Sequence, residues 1–129
     1  MPRRLVLVLC FVALAAGCQK VNLDKTVSLT AGDVQAPIIV DAPRGQQKIK
    51  VGIASAEPID VDVVLEENRP GLNETLLAGK RPAAGKAVAS KEKVKSDTLS
   101  ATIPAGKGYA VVLSGAKKTT EVKVTVKSE

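Results

Sequence analysis

Apolar residues alternate with polar ones along several short segments, and this pattern constrains the fold more than any other feature of the chain. In residues 59–65, Ile59, Val61 and Val63 would share one face of a strand, and Asp60 and Asp62 would share the other. Residues 120–127 show the same alternation, with valine at positions 122, 124 and 126. A period of two is that of a β-strand with one face in the core. Both segments are therefore predicted to be strands with their charged residues in solvent.

Other segments of the same kind are separated by turn-forming residues. Gly, Pro and Asp divide the chain between the further predicted strands, which cover residues 26–29, 38–40, 48–53, 99–103 and 109–113. About seven or eight short strands at a spacing of about 8 to 12 residues are typical of an all-β fold. We predict a single small antiparallel β-sandwich, with a barrel as the alternative. Residues 66–97 are rich in Gly, Pro and Lys, and we expect them to be mostly exposed, with one short strand near residues 87–91.

Composition limits the chemistry that the chain can perform. Among its 129 residues there is no histidine, and Tyr109 is the only aromatic residue besides Phe11. Histidine is the commonest general base and a frequent metal ligand, so its absence removes most hydrolytic and zinc-dependent mechanisms. We therefore predict a protein that is not an enzyme, with no catalytic residue, no metal ligand and no cofactor.

Two aspartates are the exception that keeps an enzymatic alternative open. Asp60 and Asp62 lie two residues apart, which in a strand is about 6.5 to 7 Å, a separation that carboxylate catalysis can use. Together with Glu66 they could also offer oxygen ligands to calcium. The preferred interpretation is that both are solvated acids on the wet face of a strand. The alternative is a small metal-dependent or carboxylate-based envelope enzyme.

The N-terminus has the order of a secretory signal. Basic residues at positions 3 and 4 precede an apolar run over residues 5–16, and Ala16 and Gly17 then precede Cys18. This arrangement resembles the bacterial lipoprotein signal, whose cysteine receives a diacylglyceryl thioether. The resemblance implies a signal peptide over residues 1–17, a lipid-anchored tether over 18–24 and a β-sandwich domain over 25–129. An ordinary cleavage after Ala15, which would leave Cys18 as a free thiol, is the alternative.

The same resemblance implies a location and a membrane partner. Lipid on Cys18 would hold the protein in the cell envelope. Because Gln19 is not the aspartate that retains lipoproteins at the inner membrane of enteric bacteria, the outer membrane, facing the periplasm, is favoured if the organism has one.

The second half of the chain is similar to the pre-peptidase C-terminal domain family. The resemblance covers residues 46–127 and lies in the turn Pro104-Ala105-Gly106, the following strand with Tyr109, and the alternating last strand. It implies a β-sandwich module that assists secretion or binds, without catalysing a reaction.

A basic segment is the candidate binding surface. Six basic residues accompany a single acid, Glu92, between positions 80 and 95: Lys80, Arg81, Lys86, Lys91, Lys93 and Lys95. They are candidates for contact with an anionic envelope component or an acidic protein partner, or they only keep an exposed edge soluble. Nucleic acid is not an expected partner, because the chain lacks aromatic platforms for bases. The predicted function is non-enzymatic binding or scaffolding in the envelope, and a purely structural surface lipoprotein is a further alternative.

Overall fold

A computed structural model of the chain describes residues 20–129, which form six β-strands, a 3-10 helix and one α-helix. The predicted signal peptide and Cys18 lie outside the described residues. The elements are β1 (Asn22–Leu29), β2 (Gln35–Val40), β3 (Gln47–Leu65), the 3-10 helix (Glu66–Asn68), α1 (Leu72–Leu77), β4 (Ala89–Ile103), β5 (Tyr109–Ser114) and β6 (Thr120–Ser128).

The predicted all-β fold is confirmed, with fewer and longer strands than expected. β3 contains both of the strands predicted at residues 48–53 and 59–65, because Pro58 bends the strand without ending it. The register of β3 against β4 shifts between Ala54 and Ile59, which is a bulge. A proline that cannot donate to the ladder is tolerated at such a position, and a bulge bends a strand.

The bend in β3 organises the whole sheet. The first half of β3 pairs with β6 and the second half with β5, while β4 follows β3 through both halves. β1 then pairs with β6, and β2 pairs with β5. The sheet of order β1-β6-β3-β5-β2, with β4 beside β3, therefore folds over itself into two layers and comes close to a barrel.

The core lies between these two layers and is aliphatic, as the alternation predicts. Every second residue of β6, from Val122 to Val126, is fully buried, and so are Val61 and Val63 of β3. Tyr109 is the only aromatic residue in this cluster, and it too is fully buried.

A second apolar cluster lies on the outer face of one layer, which the sequence pattern did not predict. Leu72 and Leu76 of α1, one helical turn apart, pack against Val64, Ala110 and Val112. The predicted exposed region 66–97 therefore contains a helix that covers the sheet. The predicted short strand near residues 87–91 is present as the start of β4, which begins at Ala89.

The domain begins earlier than predicted. β1 starts at Asn22, so three residues assigned to the tether 18–24 pair with β6. Val21 is also held, since its N–H donates to Ser128 Oγ at 2.9 Å. Within residues 20–129, no helix has the length and apolarity needed to cross a membrane.

The molecule has two distinct ends. Asn22 pairs with Lys127, and Lys127 pairs with Lys50 of β3. We call the end that contains these three residues the N-terminal end. The bulge of β3 over residues 55–58 marks the other, which we call the bend end. From Lys50 to Ser55, five residues of strand span about 16 Å. The turn between β5 and β6 also lies at the bend end, because Ser114 pairs with Asp60 and Val122 with Ser55.

Candidate functional site

The most unusual polar group is a buried ion-pair cluster on the outer face of β3. Asp60 and Asp62 point away from the main core, as predicted, but Asp62 is fully buried. The segment that follows α1 lies over this face and brings Arg81 onto both carboxylates. The prediction that both acids are solvated is therefore wrong for Asp62, because α1 and its following loop cover a face that a strand pattern treats as wet.

Arg81 is the centre of this cluster. Its Nη2 donates to Asp62 Oδ1 at 2.6 Å and to Ser90 Oγ at 2.9 Å. Its Nη1 lies 3.5 Å from Asp60 Oδ2, and its Nε lies 3.8 Å from a carboxylate oxygen of Glu92. Ser90, which pairs with Asp62 across the β3–β4 ladder, also donates to Asp62 Oδ1. One guanidinium thus lies within ion-pair distance of three carboxylates.

Burial dominates the electrostatics of Asp62. Desolvation raises the pKa of Asp62 above its usual range, against the lowering effects of the Ser90 hydrogen bond and the Arg81 charge. Asp62 Oδ2 and Arg81 Nη1 are buried without a hydrogen-bond partner among the described residues. Such incomplete satisfaction makes the ion pair costly to maintain and very costly to break on one side.

This arrangement does not suit the carboxylate chemistry considered from the sequence. Neither catalysis nor calcium binding fits a carboxylate pair that already holds a guanidinium, and Glu66 pairs with Arg69 at 2.9 Å instead of joining the aspartates. Over residues 20–129, no group of three or more potential ligands is placed to hold a metal ion. The cluster instead fixes the loop after α1 onto the sheet.

The structure divides the predicted basic segment into three parts. Arg81 faces inward onto acids, and Lys80 and Lys86 line with it a cleft of about 360 Å³ beside α1. Lys91 pairs with Asp97 at 2.7 Å, and its hydrogen bond lowers the pKa of Asp97. The two remaining residues of the segment, Lys93 and Lys95, lie at the bend end. The six residues therefore have different surroundings, and their role in binding stays a prediction.

Lys93 has an unusual backbone. Its φ is +54°, and among the described residues no other non-glycine residue has a positive φ. The register of β4 slips by one residue here, since Ile59 pairs with Val94 while Val61 pairs with Lys91. Asp60 Oδ1 accepts the Lys93 N–H at 3.0 Å and holds the bulge in place. A bulge re-aims side chains, and a left-handed lysine costs free energy that glycine would avoid.

Two further lysines accompany Lys93 and Lys95 at the bend end. Lys117 and Lys118 are exposed in the turn between β5 and β6, and the described residues show no ion pair for any of these four lysines. The turn adjoins the bulge, because Gly115 lies directly against the Asp60 carboxylate that holds Lys93. The sequence predicted the turn through Gly115 but not its position beside the bulge, because 22 positions separate Lys95 from Lys117.

Comparison with known proteins shows similarity in fold. No family model matches the chain, and no curated protein matches it. The resemblance to the pre-peptidase C-terminal domain family therefore stays a prediction.

Two solved structures are similar over most of the chain. One is PliG of Aeromonas hydrophila, a periplasmic lysozyme inhibitor of g-type lysozyme, with 15% identity, coverage of 92% of this chain and 93% of that chain, and a TM-score of 0.54. Another is the Yersinia pseudotuberculosis-derived mitogen, with 5% identity, coverage of 86% and 88%, and a TM-score of 0.52. At these identities the likeness is one of fold.

Proposed function

We propose that the protein is a non-enzymatic binding protein of the cell envelope, anchored through lipid on Cys18, whose bend end contacts a protein partner. The observation that carries this proposal is Lys93, a lysine kept in a left-handed conformation at a bulge. Three other lysines lie at the same end of the molecule, and none of the four forms an ion pair within residues 20–129. Strain of this kind persists where the surrounding structure enforces it, and it is concentrated at functional sites.

The geometry of the two ends supports a partner in front of the membrane rather than the membrane itself. A lipid on Cys18 would attach at the N-terminal end, two residues before Lys20. Lys93 and Lys95 lie at the opposite end, about 16 Å or more from the level of Asn22. The headgroups of the anchoring membrane are therefore poorly placed to meet these lysines, whereas a protein in the periplasm would reach them.

The class of partner that we propose is a hydrolase of the lysozyme kind. One protein of similar fold is a periplasmic inhibitor of g-type lysozyme. Glycoside hydrolases generally carry a pair of carboxyl groups in an open substrate cleft, and such a cleft is complementary to a group of lysines. The envelope is also where an enzyme that cuts the cell wall would be met.

Inhibition of a g-type lysozyme by the mature domain tests this proposal. We expect the domain with Cys18→Ser to slow the lysis of cell walls in proportion to its concentration. If it neither binds nor inhibits g-type lysozyme at any ionic strength, the proposed partner class is wrong.

A charge reversal at the bend end locates the contact. Lys95→Glu, Lys117→Glu and Lys118→Glu together should weaken inhibition about tenfold or more, since each reversal replaces an attraction with a repulsion. The matched control reverses Lys48, Lys50 and Lys127 at the N-terminal end and changes the net charge equally. Equal losses from the two variants would show general charge attraction and would contradict a contact at the bend end.

Lys93→Gly separates strain from binding. Glycine adopts a positive φ without steric cost, so this variant should be more stable than the wild type by about 1 kcal/mol in urea unfolding. Its inhibition of lysozyme should nevertheless be weaker, because a cation is lost. A variant that is stabilised and binds unchanged would leave Lys93 without a role in recognition.

The anchor has its own test. Labelled palmitate should enter the wild-type protein in bacterial cells and should not enter the Cys18→Ser variant. Labelling of both proteins, or of neither, would contradict attachment at Cys18. Fractionation of the labelled cells would then test the proposed outer-membrane location.

A further inference from the structure

Two large apolar side chains are exposed together in a cleft beside the start of β1. Over residues 20–129, three large hydrophobic residues are strongly exposed: Leu23 at 42%, Ile39 at 55% and Leu77 at 58%. Leu23 and Ile39 line the same cleft, of about 470 Å³, between the start of β1 and the end of β2. Leu77 lies on α1, away from this cleft.

The cleft exists because the near-barrel is open there. The registers pair β1 with β6 and β2 with β5, and no ladder joins β1 to β2. The first residues of β1 and the last of β2 therefore border a gap instead of covering one another. Apolar surface left in water in this way carries an unfavourable free energy that a matching apolar phase would remove.

The cleft also lies next to the predicted lipid attachment. Lys20 and Val21 line it together with Leu23. Cys18 precedes Lys20 by two residues, which can span no more than about 7 Å of extended chain. Acyl chains on Cys18 would thus enter the bilayer within about 7 Å of Lys20, a residue that lines the cleft.

We infer that the bilayer interface itself covers this cleft, with Leu23 and Ile39 inserted among the lipids that surround the acylated Cys18. The inference rests on the proposed lipid anchor and adds the orientation of the domain. Lys48, Lys50 and Lys127 flank the same end and lie at the height of anionic headgroups, where basic residues are attracted. Asp41 also borders the cleft. The bend end then points away from the membrane.

Single-cysteine labelling of the acylated protein tests this orientation. The signal carries Cys10 and the lipid occupies Cys18, so an introduced cysteine would be the only free thiol of the mature protein. The variants Leu23→Cys, Ile39→Cys and Leu77→Cys would each carry an environment-sensitive fluorophore, in vesicles of phosphatidylethanolamine and phosphatidylglycerol. We expect a blue-shifted emission and quenching by acyl-chain quenchers at positions 23 and 39, and neither at position 77.

A second measurement uses no label. Leu23→Ser with Ile39→Ser should make the acylated protein move between vesicles at least about tenfold faster, since insertion of both side chains would add hydrophobic transfer free energy to that of the lipid. Leu77→Ser is the matched control and should leave this rate unchanged.

The outcomes distinguish the anchor from the orientation. If the wild-type protein produced in cells does not associate with vesicles, the anchor is wrong and the orientation falls with it. If it associates but position 23 stays aqueous, the anchor stands and the orientation is overturned. Shielding at position 23 without quenching from the acyl chains would show that a second copy of the chain covers the cleft, which also overturns the inference.

Discussion

Replacement of Arg81 by methionine should destabilise the protein far more than the loss of an ordinary surface arginine. Methionine keeps the apolar stem of Arg81 but leaves Asp62, which is fully buried, without its cation. Breaking one side of a buried ion pair typically costs about 3 to 5 kcal/mol. Since Arg81 is itself 26% exposed, we take the lower end, about 3 kcal/mol at pH 7.

The loss of stability in Arg81→Met should grow as pH rises. Burial raises the pKa of Asp62, and the loss of Arg81 removes a charge that lowers it, so the variant would hold Asp62 protonated at higher pH. A native group with a raised pKa stabilises the fold at low pH and loses that contribution as pH rises. Because Asp62 can take up a proton, the cost at pH 7 cannot exceed the free energy of protonating a carboxyl group whose pKa has the ordinary value, near 3.9. That free energy is about 1.36 kcal/mol for each pH unit above the pKa, or about 4.2 kcal/mol at pH 7. Between pH 7 and pH 5 the variant should therefore recover up to about 2.7 kcal/mol relative to the wild type.

Urea unfolding of the Cys18→Ser domain, followed by far-ultraviolet circular dichroism, measures both effects. Asp62→Asn in the Arg81→Met background should restore most of the lost stability, which gives a coupling of at least about 2 kcal/mol. Arg69→Met is the matched control, because Arg69 forms an exposed pair with Glu66 and should cost less than about 1 kcal/mol. A cost for Arg81→Met that is equally small and does not vary between pH 5 and pH 8 would refute the picture of a buried charge held by Arg81.

Three further substitutions test other parts of the structure. Burial raises the pKa of Tyr109 to about 12, so native Tyr109 keeps its proton at a pH where the unfolded chain has lost it. Stability should therefore fall by about 2.7 kcal/mol between about pH 10 and pH 12, and the folded protein should show tyrosinate absorbance only near pH 12. Tyr109→Phe removes a buried hydroxyl that has no hydrogen-bond partner within residues 20–129, and it should stabilise by about 1 kcal/mol at neutral pH while abolishing that alkaline loss. Leu76→Ala should cost about 2 kcal/mol in urea unfolding if α1 covers the sheet as described. Gly115→Ala should also destabilise, because its φ is +76° and a Cβ there would overlap the Asp60 carboxylate; unchanged stability would contradict that contact.

Much of the fold could be predicted from the sequence because alternation directly reports which residues share a buried face. The valines of β6 and the apolar residues at 59, 61 and 63 are in the core where the pattern places them. The merging of predicted strands into β3 could not be predicted in this way. Pro58 is a strand terminator in most contexts, and only its position in a bulge lets the strand continue.

The candidate sites were predictable to different degrees. Lys93 and Lys95 were among the predicted surface residues, but their grouping with Lys117 and Lys118 depends on a long-range register. Nothing in the sequence distinguishes Arg81 from the basic residues around it. Its environment differs because the segment after α1 returns to β3 and brings Arg81 onto Asp62. The two leucines of α1 are a short signal for a helix, and a six-residue helix is stable only through its packing on the sheet.

An all-β domain with an aliphatic core could be predicted from the order of the residues, and the same residues include no histidine for catalysis. These properties follow from residue types and their period, which are local. The burial of Asp62, its ion pair with Arg81, and the position of four lysines at the end opposite Leu23 and Ile39 become visible only in the folded chain. Burial and charge pairing depend on which distant segments come together, and here a single bend in β3 brings them together.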